Sequence, residues 1–350
     1  MRPCRDRAPA KPGRVLIRTK LAPLRRLLKA LADPYTPILA QLVVTRRCNL
    51  SCAYCNEYDQ YSPPVETSQL MKCVDHLASL GNGIVTLTGG EPLLHPHLED
   101  VIDHIVSHGM VCTSITNGYA LTRQRIERLN RTGLELLQVS IDNMESDEVS
   151  EKSLSKLRPK LQLLRDHAGF KVNINAVLGS VPAEETRRLV DEIRSLGFYM
   201  TVSLLHNGGG SVESEMVKRD DLMQLLAHVR GVRRRSLWHR FGEGWEQEMI
   251  NTGRSDWKCR AGSRYLYIDE FGIVSYCSQR RGDPGIPLLE YGRAEIARYF
   301  PQRKGCEASC TIGCARRASA FDRYRKWETG AELAKRMGCA IHAAVHPTKT

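Results

Sequence analysis

Three cysteines early in the chain are spaced as ligands of a metal centre. Cys48, Cys52 and Cys55 follow one another as C-x3-C-x2-C, directly after the apolar run Ile38–Thr45. Thiolates are soft ligands that suit iron–sulfur clusters, and a cubane [4Fe–4S] cluster has four irons to cap. Three protein ligands leave one iron open, and a small molecule can bind and react at an open position. The spacing therefore favours chemistry at a cluster over electron storage.

Structural zinc is the alternative for cysteines at this spacing in an intracellular protein. A closed zinc site would normally take four ligands, whereas three cysteines lie together here. Zinc also gives no reason for an aromatic residue, Tyr54, directly before the last cysteine.

The motif C-x3-C-x-aromatic-C, with Tyr54 as the aromatic residue, resembles the cluster motif of the radical S-adenosylmethionine (SAM) superfamily. The resemblance implies that the open iron chelates the amino and carboxylate groups of SAM. One electron from the reduced cluster then splits SAM into methionine and a 5′-deoxyadenosyl radical, which takes a hydrogen atom from the substrate. A flavodoxin- or ferredoxin-like protein would be the external electron donor.

The elements that must position these residues alternate between strand and helix patterns, as expected of a parallel sheet wrapped by helices. This alternation resembles the partial (β/α)6 barrel of radical SAM enzymes, and in barrel folds the chemistry sits at the carboxyl ends of the strands. The predicted strands are Ile38–Thr45, Ile84–Thr88, Val111–Thr116, Leu136–Ile141, Lys171–Leu178 and Tyr199–Leu205. The predicted helices are Thr67–Leu80, His97–His108, Thr122–Arg131, Glu148–His167, Ala183–Leu196 and Arg219–Val229.

Further polar motifs follow the predicted strands. Gly89-Gly90-Glu91 comes after the second strand and looks like the GGE motif of the superfamily, whose backbone groups would bind the amino group of SAM. Asn117 follows the third strand in a Thr-Asn-Gly element that resembles one in related enzymes. By resemblance, Ser140 and Asp142 after the fourth strand reach the ribose hydroxyls or the carboxylate and amine of SAM. The alternative for Asp142 is a cap of the next turn.

A second group of cysteines lies beyond the barrel. The run from Cys259 to Cys277 reads C-x12-G-x4-C and resembles the start of a SPASM or twitch extension, in which a β-hairpin carries the first ligands of an auxiliary cluster. Cys306, Cys310 and Cys314 offer three more thiolates, so five candidates compete for the four positions of one auxiliary [4Fe–4S] cluster. The preferred set is Cys259, Cys277, Cys310 and Cys314, with Cys306 as an alternative ligand; structural zinc or free thiols remain the alternative.

Composition places the chain among large intracellular enzymes. It has 350 residues, 42% of them hydrophobic, and twelve cysteines without the short length of a disulfide scaffold, which predicts a reducing compartment and a cytoplasmic location. The net charge of +12 allows contact with an anionic surface, or simply a solvated basic exterior. We expect four regions: a basic N-terminal segment over 1–35, the core barrel over 36–230, a linker over 231–256, and a β-hairpin and helical extension over 257–350.

The sequence therefore predicts a radical SAM enzyme that acts on a peptide or a small molecule. Two alternatives from other classes stay open. A non-catalytic iron–sulfur electron carrier would keep the clusters without cleaving SAM, and a zinc-stabilised nucleic-acid-binding protein would use the basic surface.

Overall fold

The computed structural model describes residues 15–231 and 244–323. The predicted segments 1–35, 231–256 and 257–350 are each covered in part, because 1–14, 232–243 and 324–350 lie outside the described residues. The strands are β1 Leu39–Thr45, β2 Ile84–Gly89, β3 Val111–Thr116, β4 Leu136–Ser140, β5 Lys171–Leu178, β6 Tyr199–Leu204, β7 Tyr265–Ile268, β8 Ile273–Ser275 and β9 Pro284–Pro287. The helices are α1 Val15–Ala32, α2 Thr67–Ser79, α3 Leu98–Ser107, α4 Arg123–Leu129, α5 Leu154–His167, α6 Ala183–Ser195, α7 Asp220–Gly231, α8 Trp245–Thr252, α9 Arg293–Tyr299 and α10 Gly313–Ala320.

Strands β1 to β6 form the predicted partial barrel, since each pairs in parallel with the next and a helix connects it to its neighbour. The fold class predicted from the sequence is confirmed. Side chains alternate along each strand, so one face of the sheet packs against the helices and the other faces inward. The helix-facing side is apolar and buried, as Leu42, Leu87, Leu137 and Ile174 show.

The extension continues the same sheet instead of forming a separate layer. The predicted hairpin is present: β7 pairs antiparallel with β8 around a turn at Gly272, whose φ of 77° suits glycine. Strand β7 also pairs in parallel with β1, with Leu39 opposite Tyr265, so the strand order is β6-β5-β4-β3-β2-β1-β7-β8-β9. The auxiliary-cysteine region is thereby held against the first strand of the barrel.

One predicted boundary is wrong. Helix α5 begins at Leu154 and not at Glu148, because the preceding residues form a loop in which Asp142 N donates to Lys152 O at 2.9 Å. Helix α1 contains Pro23 and continues through it.

Helix α1 packs as a brace against the barrel. Leu27 and Ala30 are buried with Ile38 at the start of β1, and Arg26 Nη1 donates to Ala78 O at 2.9 Å. Among the described helices, none combines the length and the apolar character that crossing a bilayer requires. Contact of the basic surface with an anionic partner stays a prediction.

Candidate active site

The loop after β1 presents Cys48, Cys52 and Cys55 at the carboxyl end of the sheet. Cys52 is buried, and the other two are half-buried. The loop is held by backbone bonds, with Cys48 N donating to Asp59 O at 2.9 Å and Cys55 N donating to Cys52 O at 3.1 Å. Burial raises the pKa of the Cys48 and Cys55 thiols, so both need a metal to be held as thiolates near neutral pH.

Gly89 and Gly90 fit closely against this cysteine loop. A Cβ atom on Gly89 would lie 2.0 Å from Thr45 O, and one on Gly90 would lie 2.3 Å from the carbonyl oxygens of Arg46 and Arg47. Gly90 N donates to Thr45 O at 2.8 Å. The glycines therefore permit close approach of the chain's own backbone, which seats the cysteine loop on the end of β2.

The Glu91 carboxylate is fully buried and joins the ends of β2 and β3. Its Oε1 accepts from Thr116 Oγ1 at 2.7 Å and from Leu93 N at 2.8 Å, and its Oε2 accepts from Asn117 N at 2.6 Å. Burial raises its pKa, and the three hydrogen bonds oppose that shift. Glu91 thus acts as a brace for the Thr-Asn-Gly turn.

Asn117 extends from that turn toward the first cysteine. Its Nδ2 lies 3.7 Å from Cys48 Sγ and donates to Asn49 Oδ1 at 2.8 Å. The structure therefore places Asn117 directly beside the cysteine loop.

Asp142 is buried under the loop that precedes α5. Its Oδ2 accepts from Tyr54 OH at 2.5 Å and from Ser150 Oγ at 2.7 Å, while its Oδ1 accepts from Val177 N at 3.1 Å. The aromatic residue of the cysteine motif is thus anchored to the end of β4.

Lys152 is a site residue that sequence reasoning missed. Its Nζ donates to Tyr54 OH at 2.5 Å and lies 3.8 Å from Asp142 Oδ2. Burial disfavours its charge, but the adjacent Tyr54 and Asp142 oxygens outweigh burial and raise the pKa of Lys152. No sequence signal marks it, because the pattern over 148–153 predicts a helix there.

A cavity of about 180 Å³ unites most of these groups. Tyr54, Glu91 and Asp142 do not line it; they support the residues that do. The lining includes seven of the predicted residues together with Lys152: Cys48, Cys52, Cys55, Gly89, Gly90, Asn117 and Ser140. The cavity thus combines three soft thiols with several hydrogen-bonding groups. The thiols fit an iron–sulfur cluster, and the hydrogen-bonding groups fit a polar ligand.

The second group of cysteines gathers beside β7 and β8. Cys259, Cys277 and Cys310 are buried and Cys306 is half-buried. Burial, followed by the neighbouring thiols, raises the pKa of Cys277 to about 11 and that of Cys310 to about 12. Pairwise electrostatic interactions connect all four cysteines.

Cys314 lies beside β1. Its Sγ accepts from Gln41 Nε2 at 3.4 Å, Tyr265 interacts with both Cys314 and Cys277, and burial raises the pKa of Cys314. The choice between Cys306 and Cys314 as the fourth ligand of an auxiliary cluster stays a prediction.

Cations surround the second cysteine group. Arg280 makes a side-chain hydrogen bond to Cys306, Lys304 interacts with Cys259, and Arg316 Nε donates to Cys310 O at 2.8 Å. Burial lowers the pKa of Lys304 to about 8 and that of Arg316 to about 10. Positive charge of this kind complements a group of thiolates.

One further group of possible ligand atoms lies outside both cysteine groups. Within 15–231 and 244–323, the one set of three candidate ligand atoms that all lie within 4.8 Å of one another is Asp75, His104 and His108.

Comparison with known proteins decides the family. The sequence matches the model of the radical SAM superfamily over residues 42–219, just over half of the chain. This protein belongs to the radical SAM superfamily. Membership implies a [4Fe–4S] cluster and SAM, and the matched region contains the cysteine loop and the whole cavity lining.

Similar radical SAM proteins include peptide-modifying and haem-forming enzymes. An AdoMet-dependent heme synthase of Methanosarcina barkeri is 28% identical over 200 residues, which cover 54% of this chain and 57% of the relative. A PqqA peptide cyclase of Methylocella silvestris is 30% identical over 167 residues, covering 46% and 44%. The chain thus spans about half the length of the curated relatives it matches.

Solved radical SAM structures share the fold. Streptococcus suis SuiB bound to precursor peptide SuiA has a TM-score of 0.59 at 15% identity, covering 91% of this chain and 78% of that one. The structure of anSMEcpe with AdoMet and the Cp18Cys peptide has a TM-score of 0.53 at 16% identity, covering 87% and 99%. These likenesses extend past the matched region, so the chain is a radical SAM protein with a C-terminal extension.

Proposed function

We propose that this protein is an enzyme that cleaves SAM reductively and abstracts a hydrogen atom from a peptide substrate. The observation that carries the proposal is the shared cavity in which three cysteine thiols meet Gly89, Gly90 and Asn117. A [4Fe–4S] cluster bound by these thiols would supply the electron that splits SAM. A flavodoxin- or ferredoxin-like donor would return that electron to the cluster.

The chain's own residues have separate parts in this proposal. Cys48, Cys52 and Cys55 would hold the cluster, and Asn117 and Ser140 would contact SAM from the cavity wall. Lys152 would place a fixed positive charge beside the thiolates and the carboxylate of SAM.

A peptide is the favoured substrate, and a small molecule is the alternative. Among the relatives are enzymes named as peptide cyclases, and two of the structures with this fold contain bound peptides.

We also propose that the extension holds one auxiliary [4Fe–4S] cluster on Cys259, Cys277, Cys306 and Cys310. The grouping of these four thiols and the adjacent Arg280 and Lys304 support the assignment. We place the core domain at 36–230, the linker at 231–256 and the auxiliary domain at 257–350.

The test is mass-spectrometric detection of 5′-deoxyadenosine after anaerobic cluster reconstitution with SAM and a strong reductant. The variant carries Ala at Cys48, Cys52 and Cys55, and the control is Cys73→Ala, a buried thiol of α2 outside both cysteine groups. We expect product from the wild type and the control, and none from the triple variant. Failure of fully iron-loaded wild type with every candidate peptide would favour the electron-carrier alternative.

A further inference from the structure

The inward face of the barrel carries an uncharged polar lining. Near its midpoint, each of the six parallel strands directs one amide or hydroxyl side chain inward: Gln41, Thr86, Thr113, Gln138, Asn173 and Thr201. In the register, Gln41 lies opposite Thr86, Thr86 opposite Thr113, and Gln138 opposite Asn173. The row is staggered by two residues at two places, since Gln138 lies opposite Ile115 and Thr201 lies opposite Asn175. We call these six residues the polar layer.

The polar layer leads directly to the cofactor cavity. Two residues farther along, the same face contributes Thr88 from β2, Ile115 from β3 and Ser140 from β4, and all three line that cavity. A group bound at the polar layer would therefore lie directly below the place where SAM is proposed to bind.

This lining differs from a packed barrel interior. A filled barrel is occupied by bulky branched side chains, because unpaired polar groups are costly to bury. Here the polar groups bond partly to each other, with Thr86 Oγ1 2.7 Å from Thr113 Oγ1 and Asn173 Nδ2 donating to Thr201 Oγ1 at 2.8 Å. Thr113, Gln138 and Asn173 are half-buried, so a ligand can reach them.

Gln138 is the residue most available to a ligand. Its cross-strand neighbours are Ile115 and Asn173, and the Asn173 amide donates to Thr201, so among the described residues the Gln138 amide has no hydrogen-bond partner. A primary amide both donates and accepts, so it matches a second amide or a hydroxyl.

Charge is excluded from this layer within the described part of the chain. The charged groups lie at its two ends: Lys171 at the start of β5 pairs with Glu135 at 2.5 Å, and Glu57 and Lys152 lie at the cofactor cavity. A carboxylate or ammonium group bound at the middle would lose water without gaining an opposite charge.

We propose that the polar layer binds the side chain to be modified, and that this side chain is an uncharged amide or alcohol of a peptide. Asparagine, glutamine, serine and threonine fit the layer, whereas aspartate, glutamate and lysine do not. This inference rests on the proposed function, because it places the target side chain below the radical source.

The test uses synthetic peptides Ac-Ala-Gly-X-Gly-Ala-NH2 with the reconstituted holoenzyme, SAM and reductant. The variable residue X is Asn, Gln, Ser, Thr, Asp, Glu or Lys, and the readout is the gain in 5′-deoxyadenosine over the peptide-free reaction. We expect the gain in 5′-deoxyadenosine with each of the four neutral peptides to exceed the gain with each of the three charged peptides by about tenfold or more. Equal responses to Asn and Asp peptides, or a response to none, would overturn the inference.

A charge placed in the layer should reverse the preference. With Gln138→Lys, the Asp and Glu peptides should gain relative to Asn and Gln by about tenfold, since the new ammonium pairs with their carboxylates. The matched control is Gln124→Lys on the exposed surface of α4, which should keep the wild-type ratios. An unchanged ratio in Gln138→Lys would contradict the assignment.

The peptide-free reaction separates the two proposals. If the wild type forms 5′-deoxyadenosine without peptide yet shows no preference among X, SAM cleavage stands and the polar layer is not the selecting surface. If neither reaction forms product, the proposed function itself has failed.

Discussion

At the scale of single residues, the candidate site depends on side chains that support other side chains. Tyr54 and Asp142 do not line the cavity, yet their bond at 2.5 Å fixes the cysteine loop to the end of β4. Glu91 does the same for the turn at Asn117. Lys152 differs from them because it both completes the Tyr54–Asp142 contact and faces the cavity.

Lys152→Met should reduce 5′-deoxyadenosine formation by about tenfold or more, because hydrogen bonds to charged groups contribute about 1.5–3 kcal/mol. The variant also removes a positive charge beside Cys52, so the reduction potential of the cluster should fall. Rate measurements and an EPR-monitored redox titration test both effects.

Lys156→Met is the control for this prediction, since Lys156 is an exposed residue on α5 four positions along the chain. It should retain the wild-type rate and potential. A potential that stays constant in Lys152→Met would show that the ammonium group does not act on the cluster.

At the scale of elements, a short turn and a helix separate the last three cysteines. Cys306 and Cys310 flank the 3-10 turn Glu307–Ser309, whereas Cys314 lies in the first turn of α10. The turn directs the first two toward Cys259 and Cys277, and the helix carries Cys314 toward Gln41 of β1.

Cys306→Ala should therefore lose one cluster, about four irons per chain, while Cys314→Ala should keep it. Iron and sulfide analysis after reconstitution, together with the EPR spectrum of the reduced protein, measures the difference. The opposite pattern would restore Cys314 as the ligand and remove Cys306 from the set.

At the scale of the whole molecule, one sheet joins the barrel to the extension, and a buried ion pair fixes the junction. Arg264, fully buried just before β7, pairs with Asp322 through Nε at 2.8 Å. Its Nη1 donates to Asp33 O at 2.6 Å and to Thr36 O at 2.5 Å. A single guanidinium thus connects the segment before β1, the start of β7 and the residues after α10.

Arg264→Met should lower the free energy of unfolding by about 3–5 kcal/mol, because it removes one partner of an ion pair that is buried on both sides. Urea denaturation of the holoprotein measures this loss. Arg293→Met is the comparison: Arg293 pairs with the carboxylate of Asp33 at 2.7 Å but is 63% exposed, so its loss should be below about 1 kcal/mol. Equal losses in the two variants would mean that burial of the pair is not what matters.

The sequence alone determined the features that depend on local spacing. The C-x3-C-x2-C loop, the motifs after β2 and β3, and the alternation of strands and helices follow from the period of the backbone and from residue types. The hairpin β7–β8 was predictable for the same reason, since two alternating runs flank a turn at Gly272.

The contacts between distant segments depend on tertiary packing and not on local spacing. Lys152 reaches the cofactor cavity because its loop folds back over Asp142, and β7 continues the barrel because it pairs with β1. Five candidate thiols could not be reduced to four from spacing, because the directions of Cys306 and Cys314 depend on where the turn and α10 pack. Local sequence sets the period of an element, whereas long-range packing sets which elements meet.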